Sequence, residues 1–394
     1  MSSNLEKRLA GKDETMSFGL FTSYVYEDQF FLMNIQNPNA NLLIVIDEKQ
    51  TSHFKVKKHP LLGESALVIF PPKAAGLFYG VFHPKLIILK FETFLRVIIS
   101  SANITSLDWD VLAQVIWFQD FPKIDSKKLQ DEKINFPIQL HDFIAKIVPS
   151  NELQKVPSFS DYDFSNIAVD LVKSVNGWHT GNDMDNYGIG YIRKLMKQYP
   201  SNIKNGYLTI QATSIRKLDN DYLNQLYSAF KGKNTTKFNP KIKEKIRIQF
   251  PTDNYIVNVT KQKDNADCIL LENDVYYNKD FPKECFYCLE PKKDVDAYMK
   301  ALYHAKVIIF SNHDNEINDN TIIYIGSHNI SPSAWGNLTK DKKKLKMMNY
   351  ELGIIFKPMP NSKSMKENIM RTIPFQFPPP KYTSKDIPWI YDNY

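Results

Sequence analysis

The 394-residue chain is poor in cysteine, in glycine and in long apolar runs. Its three cysteines, Cys268, Cys285 and Cys288, are an odd and sparse set, which argues against a disulfide framework and points to a reducing compartment. Cys285 and Cys288 have the spacing of a zinc-ligand pair. A tetrahedral structural site needs four ligands, however, and no matching pair follows, so buried reduced thiols are expected. Only 14 glycines stand against 22 prolines, which disfavours collagen-like and low-complexity chains. No run of about 18 apolar residues is present to cross a bilayer. Residues 1–15 are charged and lack the apolar stretch of a signal peptide, which leaves cytosol or nucleus. What is there is 43% apolar, 24% charged and 13% aromatic residues, the balance of a globular protein long enough for two cores. The net charge of +7 permits an anionic partner without requiring one.

One long-range repeat organises the chain. Residues 83–106 read HPKLIILKFETFLRVIISSANITS, and residues 304–333 read HAKVIIFSNHDNEINDNTIIYIGSHNISPS. Each copy has His-x-Lys, an apolar β-branched run, an interruption, a second apolar run and Ser-x-Asn. His83 to His304 and Lys85 to Lys306 share one offset, while Asn103 to Asn329 is five residues longer. The extra residues fall in the polar segment 311–320, where a hairpin loop tolerates insertion. The pattern predicts two strands per copy, with His and Lys at the entrance of one and Asn past the exit of the other, so that all three reach one end of a sheet. His53-Phe54-Lys55 is a third His-x-Lys, but nothing of the pattern follows it.

Between the copies, Tyr222, Leu223, Leu226, Tyr227 and Phe230 recur at helical spacing, and a second helical stretch at 191–199 follows a turn at Gly188 and Gly190. Strands alternating with helices in two halves predict an α/β protein with two similar sheets. The loop-like SVNGWHTG at 174–181 sets the expected boundary, giving halves 1–175 and 176–394.

Lysine is the residue most averse to burial, yet it recurs beside an apolar run in both copies, which a pair of core histidines does not explain. A metal is disfavoured because the ammoniums would repel a cation and no Asp or Glu shares the repeat spacing. Two Lys and two Asn amides suit an anion, and a phosphate diester gains charge on its oxygens during in-line displacement. One imidazole can attack phosphorus while the other protonates the leaving oxygen and then activates water. That division of labour requires opposite protonation states on the two rings.

The duplicated H-x-K with downstream Asn lacks the Asp that marks most of the phospholipase D superfamily, whose place is taken by Lys90 and Ser311. In this it resembles the tyrosyl-DNA phosphodiesterase 1 family. SANITSLDWDVLAQVIW, GSHNISPSAWG, NYELGIIF and the closing FPPPKYTSKDIPWIY are similar to family segments, with weaker likeness in SVNGWHTGNDMDNYGIGYIRKLM and QATSIRKL. The resemblance implies a phospholipase D-like fold, two α/β domains with mixed sheets flanked by helices and related by a pseudo-twofold axis, and a cofactor-free, metal-free diester hydrolase acting on DNA 3′-phosphotyrosyl bonds or other 3′ adducts. It implies His83 as nucleophile and His304 as general acid and then base, with Lys85, Lys306, Asn103 and Asn329 on the phosphoryl oxygens. Gln114 and Glu351 match positions that hydrogen-bond the two imidazoles, Tyr79 one that stacks on a base, and Thr213 and Ser214 hydroxyls that meet the DNA backbone. The following Arg216-Lys217-Leu218-Asp219 departs from the family's small, Gly-containing sequence. A monomer in the nucleus, acting on DNA and a topoisomerase I-derived peptide, completes that expectation. A phospholipase D-like nuclease or lipid phosphodiesterase, and an inactive DNA-end-binding relative, are the alternatives.

Positive charge concentrates at 231–247 and 340–346, where solvated loops are expected and phosphate contacts are the alternative. The Pro-rich, aromatic tail 375–394 is expected to run extended and pack by its rings.

Overall fold

The computed structural model describes residues 4–11, 13–49, 51–124, 134–199, 206–234, 239–292, 300–313, 316–373 and 375–393. Residues 235–238 of the basic run, 314–315 of the polar segment and Tyr394 of the tail lie outside them. The first half contributes β1 (Phe18–Ser23), β2 (Asn41–Ile46), β3 (Lys55–His59), β4 (Gly63–Phe70), β5 (Leu86–Lys90), β6 (Phe94–Ser100) and β7 (Ile116–Pro122). These hydrogen-bond in the order β3-β4-β2-β1-β5-β6-β7. Strands β1, β2 and β4 are parallel, while β5, β6 and β7 continue antiparallel.

The chain then gives β8 (Val169–Ser174), β9 (Gly177–Thr180), β10 (Tyr207–Gln211), β11 (Ser214–Ile215), β12 (Ile246–Phe250), β13 (Leu270–Leu271) and β14 (Phe286–Cys288). It ends with β15 (Val307–Ser311), β16 (Ile322–Gly326), β17 (Asn337–Leu338), β18 (Lys344–Met347) and β19 (Glu351–Phe356). The second large sheet runs β14-β12-β10-β15-β16-β19-β8. Strands β10, β15, β16 and β19 therefore repeat β1, β5, β6 and β7, with parallel partners again on the far side.

Period-two geometry explains why these segments are strands buried on both faces. Leu86 and Ile88 enter one hydrophobic cluster, and the alternating Ile87 and Leu89 enter the other. Each fully buried side chain of this size contributes about 2 kcal/mol. The larger cluster also takes in Ile323, Ile325 and Ile354, so the two sheets share an apolar interface. The predicted helices form at Asn220–Phe230, where Asp219 caps the Tyr222 amide, and at Gly188–Lys197, which takes in the glycines expected as a turn.

The segment 174–181 is not a linker. Val169–Ser174 is already the edge strand of the second sheet, and Gly177–Thr180 pairs with β18 in a small sheet β17-β18-β9. We propose that the division between halves lies before Val169. The tail packs as expected: Trp389 is buried with its indole N–H on the Ile269 carbonyl, and Lys381 bridges Tyr287. Burial pushes the Cys285 and Cys288 thiols up to about 12, as suits unreactive core residues. Among the described residues no helix is long and apolar enough to cross a membrane.

Candidate active site

Each half lends the other's histidine its support. The His83 amide donates to the carbonyl of Tyr350, the residue before Glu351, at 3.0 Å. The His304 amide donates to the carbonyl of Ala113, the residue before Gln114, at 2.9 Å. Both histidines stand just ahead of their strands, β5 and β15, in short cross-half bridges formed by Phe82 with Tyr350 and by Tyr303 with Ala113.

The serine of each Ser-x-Asn fixes the next link, and here the two copies diverge. In the first, the Val115 amide donates to Ser101 Oγ at 3.0 Å, so the Ser101 hydroxyl donates to Gln114 Oε1 at 2.6 Å. The Gln114 amide nitrogen then faces His304 Nδ1 at 3.2 Å and donates to Asp108 Oδ1 at 3.1 Å. In the second, the Leu352 amide donates to Ser327 Oγ at 3.0 Å, and the Ser327 hydroxyl donates to Glu351 Oε2 at 2.5 Å. Glu351 Oε2 also accepts from His83 Nδ1 at 2.8 Å, and its Oε1 accepts from the Asn349 amide at 2.9 Å. One relay ends on a donor and the other on an acceptor. A carboxylate forces the proton onto His83 Nδ1, leaving Nε2 with its lone pair, whereas the amide places the His304 proton on Nε2.

The two asparagines are pinned by their oxygens. Asn103 Oδ1 accepts from the Val25 amide at 3.2 Å, just past β1. Asn329 Oδ1 accepts from the amides of Thr213 and Ser214 at 3.2 and 3.1 Å, just past β10. Each Asn is left with its amide nitrogen as a free-facing donor. Lys85 Nζ donates to the His83 carbonyl at 2.6 Å, and Lys306 Nζ to the His304 carbonyl at 2.5 Å, the same self-contact in both copies.

Burial dominates the electrostatics. It lowers His83, with Lys85 and Lys306 adding to it and Glu351 opposing it, and it lowers His304 further, helped by Lys306, Lys85 and His83. Both rings are neutral in the free site. Burial, with the charge of Lys306 beside it, pushes Lys85 down to about 7; burial pushes Lys306 down to about 8 against the pull of Asp108. Glu351 is held below the usual carboxylate range: burial opposes its ionisation, and the hydrogen bond from His83 with the nearby charge of Lys85 overcomes it.

Sequence reasoning placed His83, Lys85, Asn103, Gln114, His304, Lys306, Asn329 and Glu351 together; the contacts above join His83 with Lys85 and Glu351, and His304 with Lys306 and Gln114, while Asn329 is held by Thr213 and Ser214. It missed Asp108, which is buried, accepts from the Asn103 amide at 2.5 Å and has Oδ1 3.4 Å from His304 Nδ1. It also missed Tyr24, whose partly exposed ring lies 5.5 Å from the His83 ring. The repeat itself signals Tyr24, since the loop after β1 matches the loop after β10 that carries Thr213. Thr213 is buried with its hydroxyl 3.3 Å from Asn329 Oδ1. Ser214 is half-buried beside it, and Tyr79 is 92% exposed. Among the described residues no three His, Cys, Asp or Glu side chains group as a metal site.

The tyrosyl-DNA phosphodiesterase family model matches residues 9–383. Tyrosyl-DNA phosphodiesterase 1 of Arabidopsis thaliana is 25% identical over 377 residues, covering 80% of this chain and 60% of that relative, so the chain spans less than two thirds of its length. The crystal structure of yeast tyrosyl-DNA phosphodiesterase is 17% identical with a TM-score of 0.70, covering 98% of this chain and 95% of that one. A histidine-to-alanine mutant of the yeast protein has a TM-score of 0.74 at 17% identity, with the same 98% and 95% coverage. At that identity the likeness speaks for the fold, two mixed sheets of matching order. With the family model covering nearly the whole chain, the protein belongs to the tyrosyl-DNA phosphodiesterase family, a family of phosphodiesterases.

Proposed function

We propose that the protein hydrolyses the diester between a DNA 3′ phosphate and a tyrosine, the residue left by a topoisomerase I, through a phosphohistidine on His83. The observation that carries this reading is the pair of unlike partners behind the two rings, the Glu351 carboxylate on His83 Nδ1 and the Gln114 amide on His304 Nδ1, beside two lysines and two asparagine amides. Lys85, Lys306, Asn103 and Asn329 hold the non-bridging oxygens, where charge grows in the transition state.

In the first step a bond forms from His83 Nε2 to phosphorus as the bond to the tyrosine oxygen breaks. Glu351 accepts a hydrogen bond from His83 Nδ1–H, which keeps its proton, and its negative charge stabilises the ring made positive by phosphorylation. The leaving phenolate needs a proton from an imidazolium. An arriving diester brings one negative charge into the buried site, and a proton taken up by His304 balances it. The Nδ1 proton this creates finds Asp108 Oδ1 at 3.4 Å. His304 then gives its Nε2 proton to the phenolate. In the second step the freed Nε2 takes a proton from water, hydroxide attacks phosphorus, and the bond to His83 breaks, yielding a 3′ phosphate. A phenol with a pKa near 10 leaves more readily than a sugar hydroxyl, which favours this bond over internal diesters. A nuclear location follows from that substrate.

The test is cleavage of a 3′-phosphotyrosyl oligonucleotide in excess chelator, run beside a phospholipid diester and plain single-stranded DNA. Chelator-resistant release of tyrosine from the first substrate is expected. Turnover of the lipid or of plain DNA in its place would overturn the assignment.

A further inference from the structure

We propose that Trp178 and the lysines of β18 extend the site into a track for the unpaired bases of the strand being processed, running on from Tyr79. The proposal rests on the nucleic-acid reading of the site. Of the five tryptophans, Trp109, Trp335 and Trp389 are buried and Trp117 packs against the core, but Trp178 is 49% exposed. Its position follows from strand alternation: on β9 Gly177 and His179 point inward, and Trp178 and Thr180 point out. On β18, Leu345 and Met347 point inward, while Lys344 and Lys346 lie across from Thr180 and Trp178. Lys346 Nζ stands 5.4 Å from the centre of the Trp178 ring. The outer face of this small sheet therefore interleaves lysine with an indole that has no aromatic partner among the described residues.

That face is tied directly to the loop bearing Tyr79. Gly80 abuts the Met348 carbonyl so closely that a Cβ would sit 1.8 Å from its oxygen. Asn176, two residues before Trp178, accepts from the Ala74 amide at 2.6 Å and donates to the carbonyls of Leu77 and Met348. Asn349 accepts from the Val81 amide at 3.2 Å and donates to Glu351. Tyr79 and Trp178 are thus the exposed rings of one clamped surface, contributed by different halves, that leads to the Glu351–His83 pair. Exposed rings separated by cations are what a single strand needs, because every base has a face to stack and every linkage a charge to neutralise.

In the other basic run, three described cations are engaged within the protein. Lys243 pairs with Glu284, Lys245 lies 3.7 Å from the centre of the Tyr207 ring, and Arg247 is buried against Tyr207 and Tyr287. The structure thus separates two lysine clusters that composition leaves alike.

The experiment compares wild type, Trp178→Phe, Trp178→Ala and a Lys344→Gln/Lys346→Gln double variant. KM is measured on 3′-phosphotyrosyl substrates from a dinucleotide to about a dozen nucleotides, and Kd on an unmodified single strand by quenching of indole fluorescence or by anisotropy. Trp178→Ala is expected to weaken long-strand binding roughly tenfold, with a penalty that grows with length, while Trp178→Phe keeps the stack. The double lysine variant should reduce the slope of log Kd against log salt by about one to two, and Lys243→Gln should leave it as it is. Equal Kd and KM for wild type and Trp178→Ala at every length would overturn the track. Trp178-dependent strand binding without cleavage would instead uphold the track and refute the proposed reaction.

Discussion

Replacing Glu351 by Gln exchanges one carboxylate oxygen for an NH2 group and should disable His83. Glu351 Oε2 accepts from His83 Nδ1 and Ser327, and Oε1 accepts from Asn349. A glutamine has one acceptor and one donor for these places. If its nitrogen takes the Oε2 position, it faces two donors, and His83 is driven to the tautomer with the proton on Nε2, where the lone pair was. If its oxygen takes that position, the amide nitrogen meets the Asn349 amide, a donor facing a donor that costs about 1–3 kcal/mol. Either way the charge that stabilises the phosphorylated ring is gone. Where an amide replaces the carboxylate behind a catalytic histidine, kcat falls about 10⁴-fold through the wrong tautomer, so a loss of about 10³- to 10⁴-fold is expected here. The assay is single-turnover cleavage of a 3′-phosphotyrosyl oligonucleotide, with circular dichroism to establish that the variant is folded. Because Glu351 raises the His83 pKa, removing it should also move the acid limb of residual activity to lower pH. A folded Glu351→Gln enzyme within tenfold of wild type would refute this account of His83.

Lysines are charged below their pKa, so with Lys85 at about 7 and Lys306 at about 8, kcat/KM should decline as pH rises through 7 to 8. kcat should hold to higher pH, because the bound anion raises both; a pH profile with no alkaline limb in kcat/KM would contradict this. Asp108→Asn should slow tyrosine release more than release of p-nitrophenol, since a better leaving group needs less of the proton from His304; equal losses on both would remove Asp108 from that role. Gly80→Ala should cost about 2–3 kcal/mol through the clash with Met348, seen as a lower denaturation midpoint together with weakened turnover. An unchanged midpoint would show that the clamp between halves is looser than the contacts imply.

The repeat made much of this legible. His-x-Lys, two apolar runs and Ser-x-Asn are local, and period-two alternation was enough to place strands β5, β6, β15 and β16 with their polar residues at one end. Gln114 and Glu351 came from resemblance alone, because their partners are 190 and 268 residues away and nothing local marks them. Asp108 sits in LDWDV beside Asp110, and only the fold distinguishes the buried carboxylate from its neighbour. Thr213 came from the resemblance as well, and nothing local in the sequence shows that its hydroxyl is buried beside Asn329. The NGWHTG segment has the composition of a loop, yet pairing with β18 makes it a strand, and that pairing is what exposes Trp178. Likewise, 231–247 and 340–346 are equally basic in sequence, and only the acids and rings packed against the first distinguish them.

The central claim is a covalent bond between phosphorus and His83 Nε2, which His304 helps to form and is required to resolve. His304→Ala, incubated with a 3′-phosphotyrosyl oligonucleotide and denatured, should accumulate an acid-labile DNA adduct that peptide mass spectrometry places on His83, and His83→Ala should yield none. An adduct on any other residue, or a complete turnover by His83→Ala, would contradict the account.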